Sequence, residues 1–200
     1  MLPNPVSGRI AFVLLFQVSI CYGQTASDAQ VFHSNDFNWT ISIPKGFEKV
    51  PDTVWAKIQN KGATAIENTH DMKVVNRAKT IFVFRSDQFH YFEANYQPYD
   101  PSKDGDYQKL FKDVNDILYE TIKGSMPKAE LDTSYSREVV GNKDFNVFIL
   151  SARITPQVTL HILMYSRVFG RKEFTVNIMY VDAEKGKSLL DAWRGSTFGK

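Results

Sequence analysis

Cysteine is almost absent from this chain of 200 residues, in which Cys21 is the only one. A lone cysteine cannot form an intramolecular disulfide, so a disulfide-stabilised fold is excluded and the domain must depend on a hydrophobic core. The chain also lacks closely spaced histidines, since the four present are His33, His70, His90 and His161. Without paired histidines or thiolates, we predict no metal site and no cofactor.

A surplus of charge is also lacking, because 24 lysines and arginines face 22 aspartates and glutamates. The charges are interspersed and form no basic stripe along the chain. Nucleic-acid binding usually requires such a stripe, so we expect no nucleic-acid partner.

The sequence has one conspicuous apolar run, over residues 10–20. A bilayer-spanning helix needs about 20 apolar residues, so this run is too short to be a transmembrane anchor. Arg9 precedes it and polar residues follow, which is the order of an export signal. We predict a signal peptide over residues 1–23, cleavage between Gly23 and Gln24, and a periplasmic or secreted protein.

An alternative processing site is Cys21, which would be the lipidated residue of a bacterial lipoprotein. Val18, Ser19 and Ile20 would then form the recognition run. The bulky Ile20 argues against this reading, because such sites carry a small residue before the cysteine. We expect membrane contact only if Cys21 is lipidated.

The remaining 177 residues are enough for one domain with a core of its own. We predict a polar linker over residues 24–34 and a single α+β domain over residues 35–200. No Ser-, Gly- or Pro-rich break interrupts the second segment.

Hydrophobic periodicity predicts the first strand and the helices of this domain. Apolar residues alternate over 37–43 before Pro44, which indicates a half-buried strand. A helix is predicted from Pro51 or Asp52 to Gly62. Apolar residues at spacings of three and four over 107–122 predict a longer helix, which opens near Asp104 or Asp106 and ends at Gly124. Asp182 is the expected N-cap of a closing helix.

Turn residues divide the rest into antiparallel strands. Residues 86–88 separate one pair of strands, and Gly141 with Asn142 marks the next turn. We predict three-residue loops at 155–157 and 170–172. The first loop opposes Ile154 to Val158, Leu150 to Ile162 and Ser151 to His161. The second places Ile162, Met164 and Val168 on an apolar face with Phe174, Ile178 and Tyr180.

The less apolar face of these strands carries the candidate ligand patch, which comprises Ser151, Arg153, His161, Tyr165 and Arg167. A hydrolase would use Ser151 as nucleophile and His161 as its base. That reading lacks an orienting carboxylate, because Asp182 is expected on the other face.

Four segments resemble the PsbP-like fold group: ISIPKGFEKV, REVVGNKDFNVF, LHILMYSRVFGRKEFTVNIMYV and LLDAWRGSTF. The resemblance covers roughly residues 36–198. It implies an antiparallel sheet with helices packed on its faces, in a layered α+β sandwich. It also implies an exported or lumenal accessory protein that binds partner proteins and sometimes metal ions, and that is not usually an enzyme.

These observations lead to one functional hypothesis and two alternatives. The hypothesis is an exported, non-catalytic accessory or binding protein of the cell envelope, with other envelope proteins as partners. The alternatives are a small envelope hydrolase that uses Ser151 and His161, and a lipoprotein anchored through Cys21. The sequence leaves the oligomeric state open.

Overall fold

The computed structural model describes residues 30–70 and 77–199. The predicted signal peptide, with Cys21, Gly23 and Gln24, lies outside these residues. The described residues form helices α1 (Asp52–His70), α2 (Pro101–Asp104), α3 (Tyr107–Ser125) and α4 (Ala183–Arg194). None of these helices is both long and apolar enough to cross a bilayer.

The strands belong to two antiparallel sheets. The small sheet has the order β1-β2-β10, with β1 (Val31–Ser34), β2 (Trp39–Ser42) and β10 (Thr197–Phe198). The large sheet has the order β3-β4-β5-β9-β8-β7-β6. Its strands are β3 (Glu48–Lys49), β4 (Lys79–Asp87), β5 (His90–Pro98), β6 (Glu130–Val140), β7 (Lys143–Thr155), β8 (Val158–Phe169) and β9 (Lys172–Tyr180).

One face of the large sheet is covered by the small sheet and α4. Trp39 from β2 and Trp193 from α4 are fully buried here, with ring centroids 6.2 Å apart. The large sheet contributes apolar side chains from its central strands, including Phe84, Phe92, Phe145, Leu163, Tyr165, Phe174, Val176 and Ile178. This aromatic layer is the main core and replaces the disulfides that the sequence lacks.

The opposite face of the large sheet is covered by α3 and α1. Phe111 and Leu118 of α3 pack on Phe148 and Leu150 of β7. Trp55 of α1 packs in a separate cluster over β4 and β5. Helices therefore lie on both faces of the sheet, which confirms the predicted α+β class and layered arrangement.

Several predicted boundaries are confirmed. Asp106 caps α3 by accepting a hydrogen bond from the Lys109 amide at 2.9 Å, and Asp182 caps α4 through the Lys185 amide, also at 2.9 Å. The turn at Gly141 and Asn142 is also present, and both residues have positive φ. A two-residue hairpin with this backbone matches the twist of its strands.

Two predicted boundaries are wrong. Residues 31–34, assigned to the polar linker, form β1, because Phe32 stacks on Phe82 at 4.0 Å and gives this segment a packing partner. Helix α1 does not end at Gly62 but continues to His70. A glycine weakens a helix by only about 1 kcal/mol, which the remainder of a 19-residue helix can offset.

The register of the meander is partly as predicted. Ser151 opposes His161 and Leu150 opposes Ile162. The predicted pairing of Ile154 with Val158 is wrong, because Thr155 opposes Val158 after a bulge and two residues form the loop. The bulge adds one residue to β7, so the pairs beyond it recover the predicted register.

The predicted register between β8 and β9 is wrong by one residue. Phe169 opposes Lys172, so the loop consists of Gly170 and Arg171. The face predicted to be less apolar, with His161 and Tyr165, therefore aligns with Phe174 and carries the main core. Apolar alternation could not select the register because both faces of these strands are buried.

Candidate functional site

The structure brings two of the five candidate patch residues into direct contact. Ser151 on β7 lies beside His161 on β8, with the serine Oγ 3.0 Å from the imidazole Nδ1. The ring of His161 stacks on Tyr180 of β9, with centroids 4.8 Å apart. Partial burial lowers the pKa of His161 below its ordinary value, so the imidazole is neutral at pH 7.

A neutral imidazole beside a serine hydroxyl is two thirds of a hydrolytic triad. Within the described residues, no aspartate or glutamate forms a hydrogen bond or ion pair with His161. The third, orienting group is therefore missing from the described site, and the contact amounts to a cross-strand hydrogen bond.

Tyr165 is part of the core and is not available as a ligand contact. Its side chain is fully buried, and its hydroxyl donates a hydrogen bond to Glu138 at 2.9 Å. Arg194 of α4 donates to the same carboxylate at 2.6 Å. Burial, reinforced by the charge of Glu138, raises the pKa of Tyr165 well above its usual range. The phenol is thus a fixed donor that joins β8, β6 and α4.

The two arginines of the candidate patch have separate partners. Arg153 pairs with Glu130 at 3.0 Å on the exposed end of the sheet. Arg167 donates to the Asp144 carbonyl oxygen at 2.8 Å and lies over the Phe169 ring at 5.3 Å. The five residues share a sheet face as predicted, but each of them is engaged in a structural contact.

A second histidine, His90, contacts a carboxylate, and the sequence did not predict this pair. The Nδ1 atom of His90 is 2.7 Å from Asp87, while its Nε2 accepts a hydrogen bond from the Asp182 amide at 3.0 Å. Burial alone would raise the pKa of Asp87, but hydrogen bonds from Lys185 and His90 outweigh it and hold that pKa well below its usual range. Both ring nitrogens of His90 are therefore engaged in anchoring the start of α4.

Two buried glutamates on the face under α1 and α3 were also missed. Glu93 on β5 accepts hydrogen bonds from Trp55 at 2.7 Å, Gln59 at 2.9 Å and Asn177 at 3.0 Å. These donors come from a helix and a neighbouring strand. No signal in the sequence marks Glu93, because its neighbours are typical of any strand and its partners are 34 to 84 residues away.

Glu173 on β9 is the second buried glutamate. It accepts hydrogen bonds from Ser166 and Gln97, each at 2.7 Å. The Tyr107 hydroxyl donates in turn to Ser166 at 2.9 Å, which links α3 to the network. Burial raises the pKa of Tyr107 to about 12. Glu93 thus links α1 to the sheet directly, and Glu173 links α3 to it through Ser166 and Tyr107.

A groove lies between α3 and the β6 edge of the large sheet. It encloses a cavity of about 390 Å³ and is lined by Gln108, Phe111, Lys112, Tyr135, Ser136, Arg137 and Asn146. Tyr135 is 47% exposed, although its ring packs on Phe148. We call this surface the α3–β6 groove. Val139, four residues beyond Tyr135 along the same face of β6, is 63% exposed and lies outside the residues that line the groove.

Comparisons with known proteins support the fold alone. No protein-family model matches the chain, and no curated protein matches it either. A structural match is the solution structure of cyanobacterial PsbP (CyanoP) from Synechocystis, with a TM-score of 0.53. The match covers 91% of this chain and 99% of that one, at 11% sequence identity. The chain therefore has a PsbP-like fold, as the resemblance predicted.

Proposed function

We propose that the protein is an exported, non-catalytic accessory protein that binds other proteins of the cell envelope. Residues 1–23 support export, since they have the order of a signal peptide. The PsbP-like fold supports an accessory role, because the match is to a PsbP protein and the family resemblance implies binding of partner proteins.

The observation that carries the proposal is the α3–β6 groove. It is lined by the aromatic side chains of Phe111 and Tyr135, and Tyr135 is 47% exposed. Exposed apolar side chains beside a polar rim are typical of surfaces that bind proteins. Arg137 on the groove wall forms no ion pair or hydrogen bond in the part of the chain that the structure describes, whereas Lys112 on the other wall is paired with Asp116.

A site-specific crosslink tests this role. A photoreactive benzoylphenylalanine replaces exposed Gln108 on the groove rim, and the variant is exported and irradiated in its native envelope. The matched control places the same residue at exposed Glu184, on the opposite side of the sheet. We expect a discrete adduct with another envelope protein from position 108 only. Equal adducts at both positions, or none at position 108, would contradict binding through the groove.

The rival function is a small envelope hydrolase. The observation in its favour is the 3.0 Å contact between Ser151 and His161. Purified protein should be tested with p-nitrophenyl acetate and butyrate, together with the Ser151→Ala and His161→Ala variants. Turnover by the parent protein that both variants abolish would replace the binding proposal with the hydrolase.

A further inference from the structure

The two edges of the large sheet differ greatly in length. Strand β3 at one edge has two residues, whereas β6 at the other has eleven. Natural proteins protect long edges with charged side chains, proline or a bulge, because unpaired backbone groups pair with other strands. Strand β6 has no proline and pairs with β7 over eleven consecutive residues without a register shift. Of its four charged residues, Glu130 and Glu138 are held in ion pairs with Arg153 and Arg194, which leaves Asp132 and Arg137. Within the described chain its outer edge is unpaired.

We propose that β6 pairs antiparallel with β6 of a second copy, around a twofold axis at Ser136. The two large sheets then continue as one. This inference concerns self-association through the strand that also lines the α3–β6 groove, so a second copy and an envelope partner would compete for Tyr135, Ser136 and Arg137.

The charges of β6 select the position of the axis. Opposed side chains share a sheet face, and side chains alternate between the two faces along a strand. Opposed residues of the two copies therefore differ by an even number, and the twofold axis passes beside one residue that opposes itself. An axis at Tyr135 would oppose Asp132 to Glu138, and an axis at Ser134 would oppose Glu130 to Glu138. Both arrangements place like charges opposite each other, which destabilises a strand pair.

The other positions are also less favourable than Ser136. An axis at Arg137 opposes two arginines, and an axis at Thr133 leaves Val139 unpaired beyond the overlap. An axis at Ser136 pairs residues 132–140 without opposing like charges. It also gives the longest overlap that meets this condition.

The resulting pairs match the side chains that the single chain leaves exposed. Arg137 forms no ion pair or hydrogen bond within the described residues. In the dimer, Arg137 of each copy opposes Tyr135 of the other, so the pair occurs twice. A guanidinium over a phenol ring is a favourable cation–π contact. Val139 opposes Thr133, a pair of β-branched residues. Glu138 keeps its bonds to Arg194 and Tyr165 while facing Ser134.

Engineered cysteines test the axis directly. Ser136→Cys places two thiols opposite each other with Cβ atoms about 5 Å apart, near the reach of a disulfide. The control, Ser134→Cys, changes an equally exposed serine two residues away. Its two copies are displaced by four residues, or about 13 Å. Cleavage after Gly23 removes Cys21, so the exported protein has no competing thiol.

We expect mild oxidation to convert most of the Ser136→Cys protein into a covalent dimer and to leave Ser134→Cys monomeric. Equal crosslinking of both variants would overturn the proposed register. Absence of crosslinking, with a monomeric mass in sedimentation velocity at micromolar concentration, would overturn the dimer.

Charge exchange at positions 135 and 137 gives a second measurement. Arg137→Glu removes both cation–π contacts and should raise the dimer dissociation constant roughly tenfold. Adding Tyr135→Lys to the same chain opposes an ammonium group to the new carboxylate of the second copy and should restore association. Thermal unfolding of each variant verifies that the domain is folded. Failure of the double variant to recover affinity would overturn the pairing of positions 135 and 137. The mass of any adduct from position 108 separates the two proposals, because an adduct with a second copy of this chain supports the dimer and an adduct with a different envelope protein supports the partner.

Discussion

At the scale of single residues, the buried carboxylates are held by neutral hydrogen-bond donors. Glu93 is 6% exposed and accepts three such bonds, from Trp55, Gln59 and Asn177. Removal of the carboxylate leaves three donors buried without their acceptor, and each unsatisfied group carries its own desolvation penalty.

Glu93→Ala should therefore lower the free energy of unfolding by about 3 kcal/mol. The control is Glu130→Ala, which breaks an exposed ion pair with Arg153 and should change it by less than about 0.5 kcal/mol. Urea denaturation of both variants measures the difference. Equal losses would show that Glu93 contributes no more than a surface charge.

His161 makes stability depend on pH in a defined direction. Burial lowers its pKa in the folded protein, so the unfolded chain binds the proton more readily. Stability from this group is complete above the unfolded pKa of about 6.5 and declines as pH falls from there towards the folded value. His161→Gln should flatten the decline in melting temperature between neutral and mildly acidic pH. An unchanged decline would assign the dependence to other groups.

At the scale of elements, two helical glycines have opposite roles. Gly62 lies in α1, and a Cβ added there would have no atom within 4 Å, whereas a Cβ on Gly186 would lie 2.4 Å from the Tyr180 ring. Gly186 is therefore needed to bring α4 onto β9, although it lowers helix propensity. Gly62 has no such packing role.

Gly62→Ala should stabilise the protein by about 0.5–1 kcal/mol through the entropy of the unfolded chain. Gly186→Ala should destabilise it by about 1–3 kcal/mol through overpacking against Tyr180. Thermal unfolding distinguishes the two, because the melting temperature shifts in opposite directions. Stabilisation by both would mean that Tyr180 moves aside freely.

Two turn glycines differ in the same way. Gly141 and Gly170 both have positive φ, so alanine is strained at either position. A Cβ on Gly141 would also lie 2.8 Å from the Phe198 side chain and 3.0 Å from its amide nitrogen, while Gly170 has open space. Gly170→Ala should cost about 1 kcal/mol, and Gly141→Ala should cost measurably more in urea denaturation. Equal losses would exclude the contact with β10 as a constraint.

Local signals account for the elements that the sequence predicts correctly. The caps Asp106 and Asp182 act within three residues, and the Gly141–Asn142 turn within two, so each is visible in a short window. The strand register at Gly170 has no such local signal. Both faces of β8 and β9 are buried, so two registers that differ by one residue give equally apolar faces. The same limit applies to the candidate patch. The contact of Ser151 with His161 could be predicted because both residues belong to one hairpin, whereas the partners of Tyr165 could not because they lie on other elements.

At the scale of the whole molecule, the proposed signal peptide has two alternative processing sites: cleavage after Gly23 would release the protein, and lipidation of Cys21 would anchor it. Intact-mass measurement of the exported protein should give the mass of residues 24–200, as expected for cleavage between Gly23 and Gln24. Substitution of Cys21 by serine should leave that mass unchanged. A mature chain that begins at acylated Cys21 would instead establish the lipoprotein alternative.

The sequence by itself determined that the domain has no intramolecular disulfide, and it predicted the helix caps, the Gly141–Asn142 turn and a PsbP-like order of elements. These properties are encoded by neighbouring residues, and local sterics and hydrogen bonding suffice to express them. Tertiary structure decided which sheet face holds the main core, that Glu93 and Glu173 are buried, and that β6 is a long open edge. Those features depend on strand register and on contacts between distant residues. The hydrophobic pattern of a strand that is buried on both faces does not specify either of them.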